Sequence, residues 1–182
     1  MNVVREIKLM QAVSDKDHMR GLSNASITVV HYGDFECPFS REGARVVKVL
    51  EGQFDGQLRI VFRHFPLTTK HPHAQQAAEA AEAASAQGKF WEMAELLFAN
   101  QHKLADPYLT RYAMELGMDT AKFDDDLATH AHTERIRADV LSGQQSGVTG
   151  TPTFFINGQR YEGSDDLSSL MAAMRPMTPT IE

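Results

Sequence analysis

An apolar run ends in a thiol, and this junction constrains the chain more than any other feature. Ile27, Val29, Val30 and Tyr32 crowd residues 27–32 into a pattern that reads as a buried strand. Gly33 and Asp34 follow, then Phe35, Glu36, Cys37, Pro38, Phe39 and Ser40, and then a segment of helical periodicity over residues 41–54. A cysteine is thus set where a strand hands over to a helix. Free backbone N–H groups and the positive end of the helix dipole favour an anion there, which promotes the thiolate. Pro38 suits the first helical turn, where its missing N–H costs nothing.

Two readings of Cys37 compete. A lone cysteine often serves as a small buried hydrophobe, and Asp34, Glu36 and Glu42 place carboxylates near the sulfur that disfavour a thiolate. The strand–Cys-Pro–helix setting favours a nucleophile. Cys37 is the single cysteine of 182 residues, so an internal disulfide is excluded and any disulfide joins a second molecule. A net charge of −6 argues against a nucleic-acid or anionic-membrane surface. No apolar run reaches transmembrane length. The first ten residues lack the apolar stretch of a signal peptide and include Glu6. The expected location is therefore cytoplasmic.

Residues 1–12 fit either a short strand or a helical turn, and residues 14–26 read as a loop. After the strand at 27–32, a helix from about Phe39 is expected to bury Val46, Val49, Leu50 and Phe54 and to stop at Asp55 and Gly56. Residues 58–64 form a second strand, parallel to the first through a right-handed crossover. A helical region follows. One helix runs from Pro72 through an Ala-rich stretch to Gln87, and a second covers residues 89–100. A third, at 108–116, is opened by Asp106 and Pro107. Asp119 caps a fourth at 120–128, and a fifth spans 133–146. A loop at 147–152 leads to a strand at 153–156. Asn157 and Gly158 signal a hairpin, with 159–162 returning antiparallel. Residues 163–166 cap a last helix at 167–174, which Pro176 ends before a loose tail.

The stretch around Cys37 and the segment 147–158 resemble the DsbA-like branch of the thioredoxin superfamily. So do residues 62–67, with Arg63, His64 and Pro66; His71, Pro72 and His73; and Gly88 with Phe90 and Trp91. The resemblance implies an α/β, thioredoxin-like fold: a central mixed β-sheet flanked by helices, with an inserted helical domain. It implies an N-terminal extension at 1–26, a thioredoxin-like domain at 27–70 and 147–176, the insertion at 71–146 and a tail at 177–182. It puts the family's nucleophile on Cys37, with Pro38 and Phe39 beside it, and the substrate-facing cis-proline loop on Thr151 and Pro152. Read without the family, Pro152 fits an ordinary strand-start proline equally well. The implied partner is a protein or glutathione disulfide. No cofactor is implied beyond glutathione as a co-substrate.

The family's second cysteine falls on Ser40, which cannot resolve a mixed disulfide. The chain is a monothiol variant, natural or engineered, and an outside thiol would have to complete the cycle. The Ser40 hydroxyl either donates to the Cys37 sulfur or is a plain helix-start serine. Phe39 stands where the most strongly oxidising members carry histidine, which implies a less acidic Cys37. The resemblance leaves two rival readings: a glutathione-dependent transferase or isomerase of the kappa-like branch, and a non-catalytic peptide-binding module.

No metal site is expected. His71 and His73, like His130 and His132, stand two apart, which suits neither a helix face nor the usual ligand spacings. Solvated or capping roles are expected for them. Asp124, Asp125 and Asp126 read as a solvated helix face, and Phe90, Trp91 and Phe98 as helical core rather than a ligand pocket. No Gly-rich phosphate loop is present.

Overall fold

The computed structural model describes residues 7–54 and 56–177. Residues 27–33 are buried at nearly every position, the pattern of a strand covered on both faces. They form β2 (Ile27–Gly33), which pairs in parallel with β3 (Leu58–His64) through the crossover helix α1 (Pro38–Gln53). The second half supplies β4 (Thr153–Ile156), antiparallel to β2, and β5 (Gln159–Arg160), which returns through Asn157 and Gly158, both at positive φ. A short strand, β1 (His18–Arg20), adds antiparallel to β3. Among the described residues these five strands make one mixed sheet in the order β1-β3-β2-β4-β5.

Five helices lie between β3 and β4 in the chain: α2 (Ala74–Ser85), α3 (Phe90–Ala99), α4 (Asp106–Glu115), α5 (Thr120–Ala128) and α6 (Thr133–Gln145). α7 (Leu167–Met174) and a 3-10 turn (Arg175–Met177) close the described chain. The alanines of α2 are buried nearly all round, because the helix is wedged among its neighbours and small side chains permit close approach. Asp119 and Asp166 cap α5 and α7, accepting from the backbone N–H of Lys122 and Ser169.

Several expectations change. Residues 14–26 are not all loop, since they contain β1. Its three residues are too few and too polar to show alternation, and their partners lie far along the chain: His18 meets Glu82, and Arg20 meets Glu51 and Glu95. On α1 the buried stripe is Ser40, Gly43, Val46, Val47 and Leu50, followed by Phe54, while Val49 is exposed. That is the i, i+3, i+4, i+7 face of one helix, and Val49 falls off it. The N-cap of α4 is Ala105, with Asp106 inside the first turn. Asp126 is turned inward to Lys122 and His132 rather than solvated. Val3, Val4, Asp55 and residues 178–182 lie outside the described residues.

Candidate active site

Cys37 is the N-cap of α1, with extended φ and ψ of −76° and 120°. Its backbone N–H donates to the Asp34 carbonyl at 3.1 Å, and its own carbonyl accepts from Arg41 at 3.1 Å. The turn is therefore closed before the helix begins. Pro38 takes the first helical position, as a residue with no N–H to satisfy can. The thiol is 3% exposed, and its S–H donates to the Thr151 carbonyl at 3.4 Å. The contact spans 114 residues of sequence and brings the loop before β4 against the start of α1.

The Thr151–Pro152 peptide bond is cis. Gly43, one and a half turns into α1, faces this loop. A Cβ there would stand 2.9 Å from Phe154 Cζ and 3.3 Å from Pro152 Cβ. Only a residue without a side chain lets the helix and the loop come this close. The Thr151 hydroxyl is buried and has no partner among the described residues. Phe39, two residues after Cys37, is 73% exposed.

Ser40 is fully buried on the inner face of α1. Its hydroxyl oxygen accepts the Asp34 backbone N–H at 3.2 Å, so the described contact is to the turn, not to the sulfur. Cys37, Pro38, Phe39, Thr151 and Pro152 come together at one end of the sheet. Ser40 lies beneath them.

Two of the three carboxylates near the thiol, Asp34 and Glu36, are engaged. The buried Asp34 side chain accepts the N–H of Glu36 at 2.8 Å, the N–H of Leu67 at 2.9 Å and His71 Nδ1 at 2.7 Å. Glu36 accepts the backbone N–H of His73 at 2.6 Å and contacts His73 Nδ1 at 3.0 Å. The Asp34/Glu36 pair thus clamps the Cys37 turn to the chain leaving β3. Neither histidine is a free surface group. Each pair has the same two-residue spacing, a signal present in the sequence, but only the fold matches one pair to the other. Gln101, just past α3, was missed altogether. Its amide N–H groups donate to the carbonyls of Phe35 and Cys37, both at 2.9 Å. The inserted helices thereby hold the thiol-bearing turn directly.

Deeper between sheet and insertion, His18 Nε2 and His64 Nε2 both meet Glu82 Oε1, at 2.6 and 2.8 Å, and Arg135 Nε stands 4.0 Å from the same oxygen. Burial alone would raise the Glu82 pKa, but the hydrogen bonds from His18 and His64 outweigh it and hold Glu82 well below the usual carboxylate range. These three side chains come from β1, β3 and α2, and their ligand atoms lie close enough to surround a cation. In the structure they are closed on one another by hydrogen bonds.

Residues 13–175 match the family model described as Thioredoxin. The structure resembles oxidised BdbD from Bacillus subtilis, with a TM-score of 0.81 at 18% identity, over 94% of this chain and 97% of that one. It also resembles a thioredoxin-like oxidoreductase from Silicibacter pomeroyi, with a TM-score of 0.79 at 28% identity, over 90% and 92%. α-DsbA1 of Wolbachia pipientis gives a TM-score of 0.78 at 20% identity, over 93% and 94%. Among curated proteins, the chain is 48% identical over 169 residues to one named Na(+)/H(+) antiporter NhaA 1 from Salinispora arenicola, covering 92% of this chain and 26% of that protein. A protein of the same name from Mycolicibacterium vanbaalenii is 41% identical over 171 residues, covering 92% and 28%. The chain spans about a quarter of the length of these relatives. Among the described residues no helix is long and apolar enough to cross a membrane. With the family model covering nearly the whole chain, the chain belongs to the thioredoxin family, and its fold resembles that of the DsbA structure.

Proposed function

We propose that the chain carries out thiol–disulfide exchange through Cys37 alone, with protein or glutathione disulfides as substrates. The observation that supports this most is the sulfur's place: at the N-cap of α1, 3.4 Å from the Thr151 carbonyl, beside Pro152, with the exposed Phe39 two residues on. The Cys37 thiolate attacks one sulfur of a disulfide R–S–S–R′. A bond forms between Cys37 and R–S, and R′S⁻ leaves and takes up a proton. Ser40 has no sulfur with which to expel the substrate. A second thiol from solution, glutathione being the natural small candidate, attacks the R–S sulfur and frees the Cys37 thiolate. The net change swaps one disulfide for another, RSSR′ and the incoming thiol giving the mixed disulfide of R with that thiol plus R′SH, and the protein ends unchanged. Thr151 and Pro152 position an extended substrate by main-chain contacts.

The test is intact-mass measurement. Reduced protein mixed with oxidised glutathione should gain one glutathionyl group, and excess reduced glutathione should remove it. Cys37→Ser should gain none. Ser40→Cys should lose both thiols within one chain on oxidation. A Cys37 that stays free with both glutathione disulfide and a peptide disulfide would sink the proposal. A peptide that still binds Cys37→Ala while no exchange occurs would point to a binding module instead.

A further inference from the structure

We propose that a cavity between α1, β3 and α3 binds a small carboxylate with an apolar chain. The cavity holds about 350 Å³, at the small end of the roughly 300–1,000 Å³ usual for ligand sites. Its floor is the sheet, with His31, Ile60 and Phe62, and its walls include Ala44, Val47, Ala94 and Phe98. Trp91 and Phe98, which the sequence assigns to helical core, therefore also face a space.

The mouth has the opposite character. Arg20, Arg41, Arg45 and Lys48 line it, and Glu95 is the acidic residue of the lining. In a chain of net charge −6, such a cluster runs against the background. Glu95 is already taken: Lys48 Nζ lies 2.7 Å away and Arg20 Nη1 3.4 Å away. Arg20 is further held by Glu51 at 2.9 Å and lies over the Trp91 ring. Two cations remain. The Arg41 guanidinium has no hydrogen-bond or ion-pair partner among the described residues. Arg45 reaches only Glu42, at 3.4 Å between two largely exposed side chains, a contact worth little. Arg41 and Arg45 stand four apart on one face of α1, side by side over the opening. A single anionic group would complete them.

The floor has a matching feature. His31 is buried among Phe62 and Phe154, and its Nε2 has no partner among the described residues. Burial pushes its pKa down to about 3, so the ring is neutral. A buried polar atom left without a partner is uncommon, and the ring that carries it belongs to the lining of an otherwise apolar space. The shape and charge thus suit a molecule with an apolar body against Phe62 and Phe98 and a carboxylate at Arg41 and Arg45. The volume suits a chain of medium length.

The single tryptophan of the chain, Trp91, lines the cavity and reports on it without labelling. Decanoate titrated into the protein below its micelle concentration should change Trp91 emission saturably, at one site per chain. Decan-1-ol should do the same, since the body is apolar. Arg41→Gln with Arg45→Gln should weaken decanoate about tenfold and leave decan-1-ol unchanged, the effect of one charged contact. Added salt should weaken decanoate alone. Ala94→Leu, which fills the space, should weaken both ligands; Ala44→Leu repeats the test from the other wall if the first variant does not fold. The proposal is overturned if decanoate gives no saturable change. It is equally overturned if the double Gln variant affects both ligands alike or neither, or if a folded cavity-filled variant binds as before.

Discussion

Two buried polar side chains on opposite faces of the sheet, Arg63 and His31, are met in opposite ways. On one face Arg63, 1% exposed, has every direction answered. Its Nε and Nη2 grip the Asp17 carboxylate at 2.7 and 3.0 Å, and its two Nη groups also reach the carbonyls of Gln11 and Ala12 and the hydroxyl of Tyr32. Burial pulls the Arg63 pKa down, but the hydrogen bonds to Asp17 and Tyr32 outweigh it, so the guanidinium stays charged. On the other face His31 lies among aromatic rings with its Nε2 unanswered and stays neutral. The difference lies in what covers each face. The segment before β1 brings carbonyls and a carboxylate over Arg63. The face that holds His31 meets α1 and α3, whose backbone groups are spent in their own helices. Farther along the same face α2 does answer polar groups, those of His18 and His64, but through the side chain of Glu82 rather than its backbone.

The largest effect should come from breaking the answered face. Asp17→Ala leaves a buried guanidinium without its counter-charge, and removal of one partner of a buried pair costs about 3–5 kcal/mol. Urea unfolding should show that loss in the midpoint. Adding Arg63→Met to Asp17→Ala should cost little more, because the pair is coupled. Strictly additive losses would mean that Arg63 and Asp17 do not act as one unit.

The second effect separates the faces by pH. The folded-state pKa of His31 lies at about 3, below the 6.5 of the unfolded chain. The unfolded chain therefore binds more protons between these values. The stability that the neutral ring contributes is complete above about pH 6.5 and is lost as pH falls toward 3, at up to about 1.4 kcal/mol per pH unit. His31→Phe should remove that slope, so the variant gains on the parent as pH drops from 6.5 to 4. Asp17 and Glu82 are also depressed, but their share of the loss falls at the acid end, below the ordinary carboxylate range. Parallel stability curves for parent and variant between pH 6.5 and 4.5 would show that His31 is not buried as a neutral ring.

Much of this fold is written in local patterns. β2, β3 and β4 appear as apolar runs, the Asn157-Gly158 hairpin as turn chemistry, and the caps at Asp119 and Asp166 as side chains that meet N–H groups three residues on. The junctions are not written locally. β1 is three residues long, and its side chains are explained by Glu82 and Glu95, 64 and 75 residues away. The same holds at the site. Cys37 and Pro38 declare themselves by their place after a strand. Asp34 and Glu36, read along the chain, are carboxylates that disfavour a thiolate, and His71 and His73 are solvated or capping residues. Their pairing becomes visible only when the turn and the exit from β3 lie side by side. Gln101 carries no signal in sequence, because an amide that binds backbone carbonyls needs no particular spacing.

Gln101 gives the smallest effect and tests the place where the two faces meet. There the polar groups to be covered are not side chains but the carbonyls of Phe35 and Cys37, at the end of β2 and the start of α1. The insertion covers both with one amide. Gln101→Ala removes two neutral hydrogen bonds from a part-buried site, a stability loss of about 1–2 kcal/mol, well short of the Asp17 variant. Its stronger consequence should be local. With the turn released from α3, Cys37, 3% exposed in the parent, should open more often and react faster with iodoacetamide. Gln101→Glu keeps the size but sets a carboxylate against two carbonyl oxygens, so it should speed alkylation further than the alanine does. The paired measurement is alkylation rate and unfolding midpoint in both variants. A parental alkylation rate in both would mean that Asp34 and Glu36 hold the thiol turn without help from the insertion.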